Sequence, residues 1–522
     1  MPMDRSSCYR ALRARDARFD GAFFVGVTST GIYCRPVCRS KTPRVANCRF
    51  FSNAAAAERS GFRPCLRCRP ELAPGNAPVD ATRALADQAV RAITDGALTG
   101  HSIETLAQRF GVTSRHLRRA VTERLGVAPI ELATTQRLLL AKRLLHESSL
   151  PVGQIAFAAG FESLRRFNAA FKQHYRLNPA ALRRAAADSD MPVEADGAIE
   201  LTLAYRSPIH WDALMTFLAA RATPGVEYVE SSRYAATVRL PGAPRAADGA
   251  APRGRIVLSE VVGDVLVERR VAGARGQRTA RANHEVVVRV SPSLVTALMP
   301  LLARVRDVLD LDANPDVIAR HLAKAGLLAK PAQLAGVRIP GALDPFALAV
   351  RAILGQQVSV KGATTVMGRL VAAFGTPYAG GDPRLTRLMP TPHAIARLRT
   401  GDLATLGMPG KRADAVIALA RGVVDGTLDL SPGADPARAC AALTALPGVG
   451  DWTAHYIAMR ALRWPDAFPA NDLVLRRAAG NLTAAQLLKR AEAWRPWRGY
   501  AAMHLWRTVP ASPSRKKTND RD

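Results

Sequence analysis

Four cysteines carry the most concentrated chemistry in the chain. Cys34-Arg-Pro-Val-Cys38 and Cys65-Leu-Arg-Cys68 are separated by 26 residues. Two close pairs at this spacing can converge as a tetrahedral four-thiolate zinc site. On spacing alone a closed, structural zinc is the plainer reading. Cys8, Cys48 and Cys440 stand outside the pattern and read as ordinary buried or semi-buried thiols. A second constellation lies far downstream. Leu446-Pro447-Gly448-Val449-Gly450-Asp451-Trp452-Thr453-Ala454 has the form of a helix–hairpin–helix. Gly448 and Gly450 permit a tight turn, and the backbone N–H groups at the start of the following helix can receive a DNA phosphate. Leu406-Gly407-Met408-Pro409-Gly410-Lys411 is a weaker echo upstream. Asp472 follows Trp452 by twenty residues, in FPANDLVLRRA. Taken alone, an Asp at such a place reads as a helix cap.

The elements that must position these groups differ in kind along the chain. IETLAQRFGVTSRHLRRAVTERLG (103–126) predicts a short helix, a Gly-containing turn and an Arg-rich helix. PVGQIAFAAGFESLRRFNAAFKQHYRLNPAALRR (151–184) repeats the pattern. That is the arrangement expected for major-groove reading, with recognition helices beginning near Ser114 and Glu162. Arg115, His116 and Arg119 in the first, and Ser163, Arg165 and Arg166 in the second, are candidate base or phosphate contacts; Phe167 and Phe171 face the core. Residues 199–290 hold turn-bounded, β-branched segments such as ELTLAYR, YAATVRL and EVVVRV, which predict antiparallel strands with one embedded helix over 211–222. Residues 291–508 return to helix. Pro/Gly/Ala-rich joints at 70–80 and 185–198 separate these blocks, 242–254 reads as a mobile loop, and ASPSRKKTNDRD (511–522) reads as a disordered basic tail.

Composition narrows the partner. The 522 residues carry 73 basic and 43 acidic side chains, a formal charge of +30. Such an excess argues for a polyanion, nucleic acid or an acidic membrane surface. The charge is uneven: residues 1–75 hold 14 basic against 5 acidic side chains, while 191–290 hold 13 against 11. More than one nucleic-acid surface, with a nearly neutral scaffold between, is the implied layout. No uncharged run reaches the length of a membrane span, and the first residues lack the apolar stretch of a secretory signal. With few cysteines outside the metal-like pattern, a reducing, cytoplasmic and nucleoid-associated setting is expected.

Three resemblances sharpen these expectations. GIYCRPVCRSK and GFRPCLRCRPE, with RVANCRFFSNAAAAERS between them, resemble the N-terminal domain of the adaptive-response regulator Ada over about residues 5–72. The resemblance implies that one zinc-bound thiolate, at Cys34, accepts a methyl group from a DNA methylphosphotriester, with Cys34, Cys38, Cys65 and Cys68 as ligands. The chemistry is coherent, because zinc keeps a thiolate deprotonated at neutral pH. Four thiolates on Zn²⁺ carry a net charge of −2; methylation leaves −1 and weakens repulsion of phosphate. Alkylation then acts as a stoichiometric electrostatic switch on DNA affinity, with Arg35, Arg39, Lys41 and Arg67 placed to hold the backbone. GFESLRRFNAAFKQHYRLNPAALR resembles the second motif of AraC-type transcription regulators, over about residues 85–184.

The remaining three-fifths resembles the helix–hairpin–helix base-excision glycosylases. WDALMTFLAARATPGVE, RAILGQQVSV, GDWTAHYIAMRA and AWRPWRGYAAMHLW are most similar to 3-methyladenine DNA glycosylase II (AlkA), over about residues 199–508. The resemblance implies that Asp472 is the catalytic carboxylate and that Trp452, Tyr456 and Trp506 line the base pocket. An ionised carboxylate stabilises an oxocarbenium-like state, and electron-rich rings suit a cationic alkylated purine. Trp452 stands where lyase-active relatives carry a Lys nucleophile, so no lyase step is expected. Gln357 stands where the relative carries an apolar wedge for the flipped-out base. No iron–sulfur cysteine set follows the hairpin.

The fold class expected is multidomain α+β. It comprises a small four-cysteine zinc domain (1–75), an all-α double helix-turn-helix (80–185), an antiparallel α+β sheet domain (198–292), an all-α helix-hairpin-helix glycosylase domain (293–510) and the tail. The function expected joins alkylpurine excision to a zinc-thiolate methyl sensor and transcription control. The partners expected are alkylated and promoter double-stranded DNA, RNA polymerase and no membrane, with the chain a monomer and one Zn²⁺ as cofactor. No Pro-Cys-His-Arg segment is present, so direct methyl removal from guanine is not expected. The competing reading is a zinc-containing transcription regulator whose C-terminal half only binds DNA.

Overall fold

The computed structural model describes residues 5–16, 19–20, 23–51, 54–68, 70, 78–187, 199–245, 257–270, 284–327, 334–431 and 433–508. The tail at 511–522 and most of each of the three predicted joints and loops lie outside the described residues. The chain divides into two compact units: Met1–Thr94 with His101–Ala133, and Asp95–Gly100 with Thr134–Asp522.

The first unit holds a four-stranded sheet in the order β3-β1-β2-β4, with β1 Phe24–Val27, β2 Ile32–Cys34, β3 Cys48–Phe51 and β4 Arg63–Pro64. Pairs β1–β2 and β1–β3 are antiparallel and β2–β4 is parallel. Gly26 is required in β1, because a Cβ there would lie 2.8 Å from the Phe51 ring and 2.9 Å from Phe62. The first helix-turn-helix follows. Ser102 caps helix Ile103–Arg109 by accepting from Thr105 N, Gly111 makes the turn at φ +66°, and Thr113 caps helix Ser114–Leu125. The recognition helix therefore begins at Ser114, where the sequence reading puts it.

The second unit contains the other helix-turn-helix, Val152–Ala158 and Leu164–Tyr175, the latter capped by Ser163. The two helix-turn-helix segments thus fall in different compact units. Phe167 and Phe171 are fully buried, as expected of core-facing positions. They join a core with Leu201, Val238, Val265 and Val288 from a five-stranded antiparallel sheet. Its order is β5-β9-β8-β7-β6, with β5 Ile199–Ala204, β6 Glu227–Glu230, β7 Arg233–Arg245, β8 Val257–Arg269 and β9 Glu285–Val290. Glu147 fixes the junction by accepting from Thr202 N at 2.8 Å. The embedded helix forms over Trp211–Ala219 and buries Trp211, Leu214, Met215 and Leu218.

The helical remainder packs around a second core that includes Phe346, Ile353, Leu443, Ile457, Phe468 and Trp494. Asp310, 1% exposed, fastens it to the segment before it. Its carboxylate accepts from Ile339 N (3.0 Å) and the Tyr500 hydroxyl (2.8 Å) and is ion-paired with Arg463. Among the described residues no helix is long and apolar enough to cross a membrane.

Candidate functional site

The cysteine centre is assembled from two strand ends. Cys34 closes β2, Cys38 follows after a turn whose Cys38 N–H donates to Arg35 O (3.1 Å), and Cys65 follows β4, its N–H donating to Tyr33 O (3.0 Å). The Sγ atoms of Cys34, Cys38, Cys65 and Cys68 lie within 4.8 Å of one another, and all four residues are buried. A tetrahedral four-sulfur zinc site needs sulfurs about 3.8 Å apart, so the set fits that ion. The thiols alone are a poor arrangement: the Cys38 contact, with burial, pushes Cys34 well above the ordinary thiol range, while the Cys34 contact pulls Cys38 far below it. Proton sharing of this kind is what a dication replaces. Outer contacts are already formed, with Arg35 N–H donating to Cys68 Sγ at 3.5 Å and Ser40 Oγ lying 3.3 Å from Cys38 Sγ.

The surrounding cations do not behave alike. Lys41 and Arg67 are exposed. Arg39 is half-buried and ion-paired with Glu123 of the first recognition helix at 2.8 Å. Arg35 corrects the sequence reading. It is 0% exposed, ion-paired with Asp20, and its Nε donates to Asp20 Oδ1 at 2.9 Å. A side chain committed to an internal carboxylate braces the metal loop and does not present itself to a phosphate. On the recognition helices Arg115, Arg119, Arg165 and Arg166 are exposed, and Arg166 pairs with Glu162 at 3.3 Å. Ser163 is taken up as a cap, and His116 is half-buried.

The carboxylate and the aromatic set meet. Asp472 is the N-cap of the helix Leu473–Ala478, with Oδ1 accepting from Leu475 N (2.8 Å) and from Trp506 Nε1 (3.1 Å). Its Oδ2 accepts from Trp452 Nε1 (2.8 Å). The cap reading and the site reading thus describe one group. Tyr456 stacks on Trp452 with centroids 5.3 Å apart and planes 10° apart, and meets Trp506 edge-on at 6.2 Å. Arg460 Nη1 donates to the Tyr456 hydroxyl at 2.7 Å. Burial pushes the Tyr456 phenol up, but the charges of Arg460 and Arg221 outweigh it and hold its pKa below the ordinary value. All three rings and the carboxylate are half-buried.

The hairpin stands beside this pocket. Helix Pro436–Thr444 runs into the turn, Gly448 takes φ +78°, and Gly450 is the N-cap of Asp451–Arg460, the helix that carries Trp452 and Tyr456. A Cβ on Gly448 would meet Ala415 Cβ only at 3.6 Å, so backbone conformation, not space, demands glycine here. Gly448→Ala should therefore cost about 1–2 kcal/mol of hairpin geometry and weaken duplex binding about tenfold, read by fluorescence anisotropy. Unchanged affinity would remove the hairpin from the DNA surface. Gln357 is exposed in a left-handed conformation, φ 55°. Its neighbour Gln356 donates from Nε2 to Gly448 O (3.0 Å) and to Thr453 Oγ1 (2.9 Å), tying that loop to the hairpin.

Family models match the chain in four stretches: the metal binding domain of Ada at residues 7–71, a helix-turn-helix domain at 106–185, the AlkA N-terminal domain at 200–344, and the HhH-GPD superfamily of base excision DNA repair proteins at 350–495. A Mycobacterium tuberculosis protein described as a probable bifunctional transcriptional activator/DNA repair enzyme AlkA is 40% identical over 512 residues, 97% of each chain. The chain belongs to this AlkA family of activator–repair fusions. The DNA-3-methyladenine glycosylase 2 of Escherichia coli is 33% identical over 60% of this chain and 98% of its own. The regulatory protein ada of Salmonella typhimurium is 52% identical over 66 residues, 13% of this chain and 19% of its own.

Sequence reasoning missed several residues bonded to the hairpin and to the aromatic set. Gln356 reads as one half of an unremarked Gln pair, yet its bonds reach 92 and 97 residues along the chain. Arg460 lies four residues after Tyr456, a helical spacing that could have flagged it. Arg221 carries no such signal.

Proposed function

We propose that this AlkA-family protein excises alkylated purines from duplex DNA as a monofunctional glycosylase, and that its zinc-thiolate domain accepts methyl groups from DNA phosphotriesters to direct transcription. The observation that carries the first part is the bonding of Asp472. Both of its oxygens are held by indole N–H groups of rings belonging to the stacked set. A carboxylate so held is fixed in place beside the aromatic set. A cationic base bound against Trp452, Tyr456 and Trp506 gains cation–π stabilisation. As its N-glycosidic bond breaks, the base leaves with the electron pair, and Asp472 stabilises the positive charge that develops on the sugar. Water adds to the sugar carbon and gives up a proton. With Trp452 in place of an amine nucleophile, no Schiff base forms and strand cleavage does not follow. The test is release of 3-methyladenine or 7-methylguanine from alkylated duplex DNA, which wild type gives and Asp472→Asn does not. No release by wild type, with duplex binding retained, would leave the C-terminal half a DNA-binding module.

In the sensor, zinc held by Cys34, Cys38, Cys65 and Cys68 would supply a thiolate at neutral pH. Cys34 Sγ attacks the methyl carbon, a C–S bond forms, the O–CH₃ bond breaks, and the phosphodiester leaves as an anion. Exposure does not single out Cys34, at 8% against 7% for Cys65; its position in the GIYCRPVC motif does. Mass spectrometry after incubation with methylphosphotriester DNA should find one added methyl on the Cys34 peptide, and a methyl on another cysteine would overturn the assignment. The exposed arginines of the recognition helices would hold promoter DNA, with RNA polymerase as the further partner, and two helix-turn-helix units let one chain act as a monomer.

A further inference from the structure

The second compact unit holds a cavity of about 250 Å³ whose lining includes Arg460, the partner of the Tyr456 hydroxyl. It lies between the five-stranded sheet and the helical core. Its lining includes five arginines, at 221, 239, 304, 351 and 460, against three acidic side chains, Glu227, Glu260 and Asp344. Two of those carboxylates are accounted for. Glu260 pairs with Arg239 at 2.9 Å, and Asp344 caps the helix Pro345–Leu354 within reach of the Arg304 charge. Glu227 spends its oxygens on neutral donors, the Tyr234 hydroxyl at 2.7 Å and Thr223 N at 3.3 Å.

Arg221, Arg351 and Arg460 remain, and none forms an ion pair with a carboxylate among the described residues. They are close together. The guanidinium carbons of Arg221 and Arg460 stand over the same Phe217 ring, 3.7 Å and 4.9 Å from its centroid. Arg351 feels the charge of both, and donates to Thr223 Oγ1 at 2.9 Å and Thr364 Oγ1 at 3.1 Å. Arg221 donates to Phe217 O and also bonds the Tyr456 hydroxyl. Arg460 donates to Pro340 O, Gly341 O and the same hydroxyl. Each keeps N–H donors to spare, and none of these partners is a carboxylate. Burial pushes the pKa of Arg221 and of Arg351 below the ordinary guanidinium value. Like charges collected in a cavity without partners are costly unless something supplies the opposite charge.

We propose that this cavity is a binding site for a small dianion of the phosphate class, held by Arg221, Arg351 and Arg460. Three guanidinium charges against the one carboxylate of Glu227 leave two positive charges, which a dianion balances and chloride does not. Guanidinium forks match tetrahedral oxyanions through paired N–H donors. The volume admits a free phosphate with room to spare, or the phosphate end of a mononucleotide. Because Arg460 and Arg221 both engage the Tyr456 hydroxyl, the occupied site adjoins the aromatic set through these two side chains.

The experiment is calorimetric titration of the full chain with inorganic phosphate at fixed ionic strength, repeated with dAMP. Saturable binding in the millimolar range or tighter is expected. Arg221→Gln and Arg351→Gln should each weaken it about tenfold, while Arg239→Gln, whose charge is already paired, leaves it within about twofold. In phosphate-free buffer the first two variants should melt higher than wild type, because each removes a half-buried charge that has no ion-pair partner among the described residues. A surface basic patch would give none of that pattern. Tighter binding of phosphate than of dAMP identifies the free ion as the ligand, and the reverse order identifies a nucleotide. Phosphate binding unaffected by both Arg221→Gln and Arg351→Gln, or no saturable binding of either probe, overturns the site.

Discussion

Asp472→Asn should lower the rate of base excision by about 10²–10³-fold, the scale on which loss of one preorganised electrostatic group acts. Folding should change little, because Asn caps a helix as well as Asp does. The bonding makes the result interpretable. Oδ1 serves Leu475 N and Trp506 Nε1, and Oδ2 serves Trp452 Nε1. An Asn oriented to keep the cap and the Trp506 bond turns its NH₂ toward the Trp452 N–H, so two donors face each other. Trp452→Phe separates the two effects, because it removes that N–H and leaves the charge. Its loss should be about tenfold, well short of the Asn variant. Equal losses in the two variants would mean that ring placement, not charge, carries the rate. Single-turnover release of 3-methyladenine and thermal melting of both variants decide between them.

Removing zinc should have the largest effect on structure. The cluster around the site consists of Leu12 and Val25 with five cysteines, Cys34, Cys38, Cys48, Cys65 and Cys68. Two further small clusters, one around Phe24, Tyr33 and Phe62 and one around Ala11 and Phe23, complete the domain's apolar core, and its strands are only two to four residues long. Structural zinc contributes about 10–16 kcal/mol in small zinc modules, more than such a core provides on its own. A strong chelator, or Cys65→Ala, should therefore unfold the zinc domain, seen as new proteolytic cleavage between residues 23 and 68. Base release should persist, since its residues all belong to the other compact unit. Full resistance to protease after complete metal removal would sink the argument.

These expectations were legible in the sequence to unequal degrees. The cysteine pairs announce themselves because metal ligands must be close in the chain to share one ion. The hairpin does so because a tight turn needs glycine, and Gly448 does sit at positive φ. The caps Thr113 and Ser163 are local too, yet the sequence reading passes over them and makes Ser163 a DNA contact. What else escaped spans distance. Arg35 looked like a phosphate contact because nothing nearby in sequence claims it, while Asp20 claims it in space. The sheet of the zinc domain could not be read from strands too short to show alternation. An amphipathic recognition helix states that one face is buried but not against what, so the shared core of Phe167 and Phe171 with Leu201 and Val288 is a structural finding. The arginine cavity gathers residues from 221 to 460, and no local pattern joins them.

The cap made by Asp472, together with the catalytic role proposed for it, restricts how this position can change over evolutionary time. A glutamate retains the negative charge but is too long to cap the helix, so its backbone start loosens. An asparagine, serine or threonine retains the cap and loses the charge. No single substitution preserves both, and an intermediate on any route to another residue either loosens the helix start or gives up most of the proposed excision rate. The position is locked by two unrelated requirements at once, and a lineage that abandons the carboxylate has given up excision before it gains a replacement.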